Sequence, residues 1–62
     1  MFGKLRATIL VVNLNTEFVR VLIHGAIFSC PMTTKDDTLM FRFQDKWYPV
    51  SKYTTEMTTY IG

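Results

Sequence analysis

Apolar residues are densest across residues 17–30, EFVRVLIHGAIFSC, and they alternate in parity. Val19, Val21, Ile23 and Ile27 share one parity, while Phe18, Leu22, Ala26 and Phe28 hold the other, broken by Arg20 and His24. A period of two with apolar residues on both parities predicts a strand whose two faces are both largely apolar. The 14 residues of this run, at about 3.3 Å each, would reach roughly 46 Å. A compact domain of this length is only about 27 Å across. The strand is therefore expected to bend, and Gly25, the one residue of the run without a Cβ, is where the bend is expected.

Two hairpins are read around that strand. Residues 4–14, KLRATILVVNL, are aliphatic and β-branched, and residues 13–16 supply turn chemistry before the central strand starts. With Asn15 and Thr16 as the loop, Val12 lies opposite Val19, Leu10 opposite Val21 and Thr8 opposite Ile23. Val11 then meets Arg20, and Ile9 meets Leu22, on the second face. A slip of one residue would exchange the faces without making either polar.

Residues 31–38, PMTTKDDT, show no apolar period and are read as a polar surface loop between the hairpins. Leu39, Phe41 and Phe43 then alternate with Met40, Arg42 and Gln44, and Asp45 with Lys46 makes a break before WYPVSKY. The second hairpin is expected to set Phe43 against Tyr48 and Phe41 against Val50, with Met40, Arg42, Trp47 and Tyr53 on its other face. Pro49 cannot donate to a ladder, which makes its strand an edge or a bulge. The threonine-rich tail, TTEMTTYIG, is expected to end in a short strand, the alternative being a helical turn from Thr54 with Glu56 in it.

Composition narrows what such a chain can do. One domain spanning residues 1–62 buries only around 60% of its unfolded surface, so its stability is small and a partner or oligomer would help. Cys30 is the only cysteine and His24 the only histidine, which excludes an internal disulfide and a structural zinc site, and no metal or cofactor is expected. At 48% hydrophobic the chain is too apolar for disorder, and a net charge of +2 is too small for a basic patch. Lys4 and Arg6 precede an apolar run that Asn13 and Asn15 cut short, so neither an export signal nor a membrane span is expected, and a free thiol fits the cytoplasm.

Candidate chemistry is sparse. His24 and Cys30 share parity, but six residues of strand separate them by about 20 Å, beyond nucleophile–base reach; a buried thiol and a histidine at a bend are the plainer reading. Asp36 and Asp37, without further oxygen donors at ligand spacing, read as a solvated turn. Arg42 beside Trp47 and Tyr53, with Lys46 and Lys52 close in sequence, forms the candidate binding set. A planar cation among aromatics can stack on a base or grip a partner, although it can equally cover aromatic surface with its charge in water. Ile9, Val11, Phe18, Arg20 and Leu22 form the candidate oligomer interface, because one short chain cannot cover both faces of the first hairpin.

The expected fold is all-β: about five antiparallel strands in a strongly bent sheet or small open barrel of SH3-like or OB-like size. The expected function follows by exclusion. No catalytic constellation is present, and enzyme activity ranks last. First comes a small intracellular binding protein that occupies a larger protein partner or sequesters a small ligand as a homo-oligomer, inhibitor-like in the way of small phage and mobile-element proteins. Single-stranded nucleic-acid binding is the second reading, and a structural subunit of a larger assembly is the third.

Overall fold

The computed structural model describes residues 5–62; Lys4, the start of the expected first strand, lies outside them. Six strands, β1 (Ala7–Asn13), β2 (Phe18–Ile23), β3 (Ala26–Lys35), β4 (Thr38–Phe43), β5 (Lys46–Pro49) and β6 (Thr59–Ile61), lie in one sheet in the order β5-β4-β3-β2-β1-β6. Neighbours are antiparallel except β6, which runs parallel to β1. The outer strands β5 and β6 do not pair, so the bent sheet stays open and does not close into a barrel. The all-β, bent-sheet architecture is the expected one, with one more strand and one parallel pairing.

The long apolar run resolves its excess length by reversing, not by bending. His24 and Gly25 form a two-residue turn with φ of 49° and 79°, the type I′ pattern whose twist matches that of flanking strands. The run is therefore two paired strands. Val19, Val21 and Ile23 stand opposite Cys30, Phe28 and Ala26 on the inner side, while Phe18, Arg20 and Leu22 stand opposite Pro31, Ser29 and Ile27 on the outer side. A Cβ added at Gly25 would meet nothing within 4 Å, so any penalty there is backbone strain alone. Gly25→Val is expected to lose about 1–2 kcal/mol, read as a lower urea midpoint, whereas Gly25→Asn should retain most of the stability because asparagine tolerates the left-handed region. An unchanged midpoint for the valine variant would refute the turn.

The expected polar loop at residues 31–38 is instead the second half of β3 followed by a turn. Pro31 has no N–H to give, and the next residue takes over: Met32 N donates to Glu17 O at 2.9 Å. β3 pairs with β2 as far as Pro31 and with β4 from Met32 onward, and the sheet folds over at that handover. Asp36 and Asp37 then turn the chain, with φ of 52° and 63°, as Gln44 and Asp45 do after β4, with φ of 53° and 65°. Strands β2 to β5 are thus one meander joined by three two-residue turns, in place of two hairpins and a loop.

Register in the last hairpin is two residues tighter than expected. Phe41 opposes Tyr48, Phe43 opposes Lys46, and Arg42 opposes Trp47. A shift of two preserves faces, so Phe41, Phe43 and Tyr48 still point inward and Met40, Arg42 and Trp47 outward. Pro49 closes the edge strand and leads into a 3-10 turn at Val50–Lys52, which buries Val50. Tyr53 then folds back inward, its ring edge-on to Phe41 at 5.7 Å and to Tyr48 at 6.1 Å.

In the first hairpin Val12 opposes Val19 and Val11 opposes Arg20, as expected, but a bulge between Ile9 and Val11 moves Ile9 opposite Val21 and Thr8 opposite Leu22. Ile9 is thereby turned into the core. It joins Val12, Val19, Val21, Ile23, Cys30, Met32, Phe41 and Val50, the buried side chains on the inner side of the bend. The tail ends in the expected short strand.

Candidate docking face

The chain has enough side chains for one core layer, and the opposite surface of the sheet is left facing solvent. On β2 it presents Phe18, Arg20 and Leu22, and on β3 it presents Ile27, Ser29 and Pro31. Val11 of β1 and Ile61 of β6 continue it toward one edge, and Met40, Arg42 and Trp47 toward the other. Ile27 is 60% exposed, Trp47 47% and Phe18 44%, with Leu22 and Ile61 close behind. Large apolar side chains therefore recur across the whole outer face.

Of the interface set read from sequence, Val11, Phe18, Arg20 and Leu22 share this face. Ile9 does not, since the bulge buries it completely. Of the binding set, Arg42 and Trp47 are direct cross-strand neighbours on the outer face. Tyr53 packs on the inner side, Lys46 opposes the inward-facing Phe43, and Lys52 belongs to the 3-10 turn. The five residues thus do not form one surface. Arg42 Nη2 donates to Asp45 Oδ1 at 2.9 Å, and this exposed ion pair neutralises the cation beside Trp47 at little gain in stability. Trp47 also closes a shallow depression of about 300 Å³ with Thr33, Lys35 and Met40.

Ile27, Ser29, Pro31 and Ile61 are members of the face that the sequence reading did not assign. Their signal was the shared parity of residues 27, 29 and 31. It becomes legible only once Gly25 is taken as a reversal that brings them alongside β2.

Charge is sorted by backbone conformation. Glu17, Asp36, Asp37 and Asp45 all occupy turns at positive φ, a region aspartate tolerates better than most residues, and Glu56 sits in the turn before β6. No acid remains within a strand, whereas Arg20, Lys35, Arg42 and Lys46 are all strand residues. The outer face consequently carries Arg20, Lys35 and Arg42 among apolar side chains, with acids only at the turns.

His24 and Cys30 are kept apart. His24 is at the exposed tip of the β2–β3 turn, and Cys30 is buried at mid-strand opposite Val19, where burial pushes its thiol above its ordinary 9.0. A protonated buried thiol is a poor nucleophile. Among the described residues, no three histidine, cysteine or acidic side chains gather into a metal-binding group, and no helix is long and apolar enough to cross a membrane. No protein-family model matches the chain, and no curated protein and no solved structure matches it either.

Proposed function

We propose that the protein is a small, non-catalytic binding module that occupies a protein partner with the outer face of its sheet. The observation that carries this reading is the set of exposed Phe18, Leu22, Ile27 and Ile61 on the outer face of the β3-β2-β1-β6 part of the sheet, since apolar surface gathered on one face of a small domain marks an interaction site. The sheet edges direct association to the face. β5 has 4 residues and ends in Pro49, and β6 has 3, and short edges bearing proline are poor templates for strand addition.

Single-stranded nucleic acid is less well supported. Tyr53 is turned inward and Arg42 is held by Asp45, which leaves Trp47 as a lone stacking platform on that hairpin. A continuous basic groove lined by several aromatics is what such ligands require.

Tagged protein recovered from its native cells should bring down a partner that Leu22→Glu loses and Met57→Glu keeps. Met57 is 85% exposed and lies off the sheet, so it controls for added charge. Burying a leucine contributes about 1.5–3 kcal/mol, so the Leu22 variant should weaken binding by about ten-fold to a hundred-fold. Equal recovery by both variants would remove the partner from this face.

A further inference from the structure

We propose that the groove around Arg20 receives a carboxylate side chain, flanked by apolar residues, on the partner protein; this deepens the docking reading and rests on it. The groove holds about 210 Å³, and its apolar walls are Val11, Phe18 and Ile61. Arg20 and Ser29, cross-strand neighbours, line it together with Asn13 and Thr16. Asn13 Oδ1 already accepts the backbone N–H groups of Asn15 at 3.0 Å and Thr16 at 3.1 Å. Its amide nitrogen is left to donate. The groove therefore offers a guanidinium that only donates, an amide nitrogen free to donate and two hydroxyls able to donate, and no carboxylate lines it. That donor set is complementary to an acidic group.

Arg20 also separates the candidate occupants. It sits mid-strand between Phe18 and Leu22 on the outer face, and among the described residues its guanidinium has no ion-pair partner. A second copy seated in this groove about a twofold axis passing beside Arg20 would bring Arg20 against its own image in a drying patch, with no strand acid between them to offset the repulsion. A different protein carrying an acid at the centre of an apolar surface removes that cost and supplies the missing charge. Like-charge juxtaposition discriminates against wrong partners as strongly as the matching charge favours the right one. Nucleic acid would also satisfy the guanidinium, but Phe18 is the one aromatic lining the groove, while Val11, Leu22, Ile27 and Ile61 are aliphatic, and a single ring does not make a platform for successive bases.

The test pans a display library of random peptides against the full chain. Enriched sequences should place Asp or Glu beside apolar residues, and affinity should fall about ten-fold or more on Arg20→Gln or on Glu→Gln in the peptide. Arg20→Glu should recover binding when the peptide acid is changed to lysine. Binders that ignore Arg20→Gln but are lost with Leu22→Glu overturn the carboxylate inference and leave the docking reading standing. Binders that ignore both variants, or a selection without acidic enrichment, overturn the inference; the first of these outcomes also removes the docking face. A dimer in light scattering that Leu22→Glu dissolves would assign the groove to a second copy. Salt-sensitive quenching of Trp47 by a single-stranded oligonucleotide, abolished by Arg20→Gln, would assign it to nucleic acid.

Discussion

Phe41→Ala is expected to leave the chain unfolded in buffer. Phe41 is 0% exposed and stands where β4 crosses the core, opposite Tyr48 on β5 and Met32 on β3. Its ring lies 5.6 Å from that of Tyr48 and 5.7 Å from that of Tyr53, so it joins the meander to the segment leading into β6. Removing a buried phenylalanine costs about 3–5 kcal/mol through lost transfer and the cavity left behind. A domain of 62 residues has only about 3–9 kcal/mol in total at ordinary stability per residue. Loss of near-ultraviolet circular dichroism should show the collapse. Trp47→Ala, on the outer face, should leave the spectrum's tyrosine bands and the urea midpoint nearly unchanged. A cooperative transition retained by Phe41→Ala at the wild-type midpoint would mean that the core is organised around other residues.

The faces of the fold were more legible in the sequence than its connections. Apolar alternation put Phe41 and Phe43 opposite Met40 and Arg42, and that separation survives in the structure because the register moved by two. Turn chemistry was harder to read. Asp-Asp and Gln-Asp lack the glycine that announces a two-residue hairpin, yet both occupy left-handed turns. A strand whose outer half reads Met-Thr-Thr-Lys also has no apolar period, since only Met32 of those four residues is buried. Gly25 reads from sequence as a bend, because a run of apolar residues unbroken except by Arg20 and His24 looks like one strand.

The same causes set how much of the candidate site could be read. Val11, Phe18, Arg20 and Leu22 lie on adjacent strands joined by a local turn, and local pairing is what a sequence pattern conveys. Tyr53 lies beyond a 3-10 turn, where strand parity stops applying. Ile9 is displaced by a bulge beside which the far end of the chain is hydrogen-bonded. No local pattern of residues 7–13 carries that contact, because its partner is Thr58.

Thr58→Val is accordingly expected to do damage well beyond its size. The bulge leaves Leu10 without a cross-strand partner, and the backbone groups of Ile9 beside it are satisfied from the C-terminal segment: Ile9 N donates to Tyr53 O at 2.9 Å, and Ile9 O accepts from Thr58 Oγ1 at 2.7 Å. The same hydroxyl accepts the N–H of Thr55 at 2.9 Å. It thereby ties the approach to β6 onto β1. Valine keeps the shape of threonine but loses both bonds, and a carbonyl left without its donor beside the core costs about 1–3 kcal/mol. Thr58→Ser keeps the hydroxyl and should lose much less. β6 is only 3 residues long, too short to hold itself, so its release should be local and visible before global unfolding. The Leu14 amide, which donates to Ile61 O at 2.8 Å, reports that release. Hydrogen exchange at Leu14 should accelerate in Thr58→Val and stay near wild type in Thr58→Ser. Equal protection in all three proteins would mean that the parallel pairing of β6 with β1 stands without the threonine clasp.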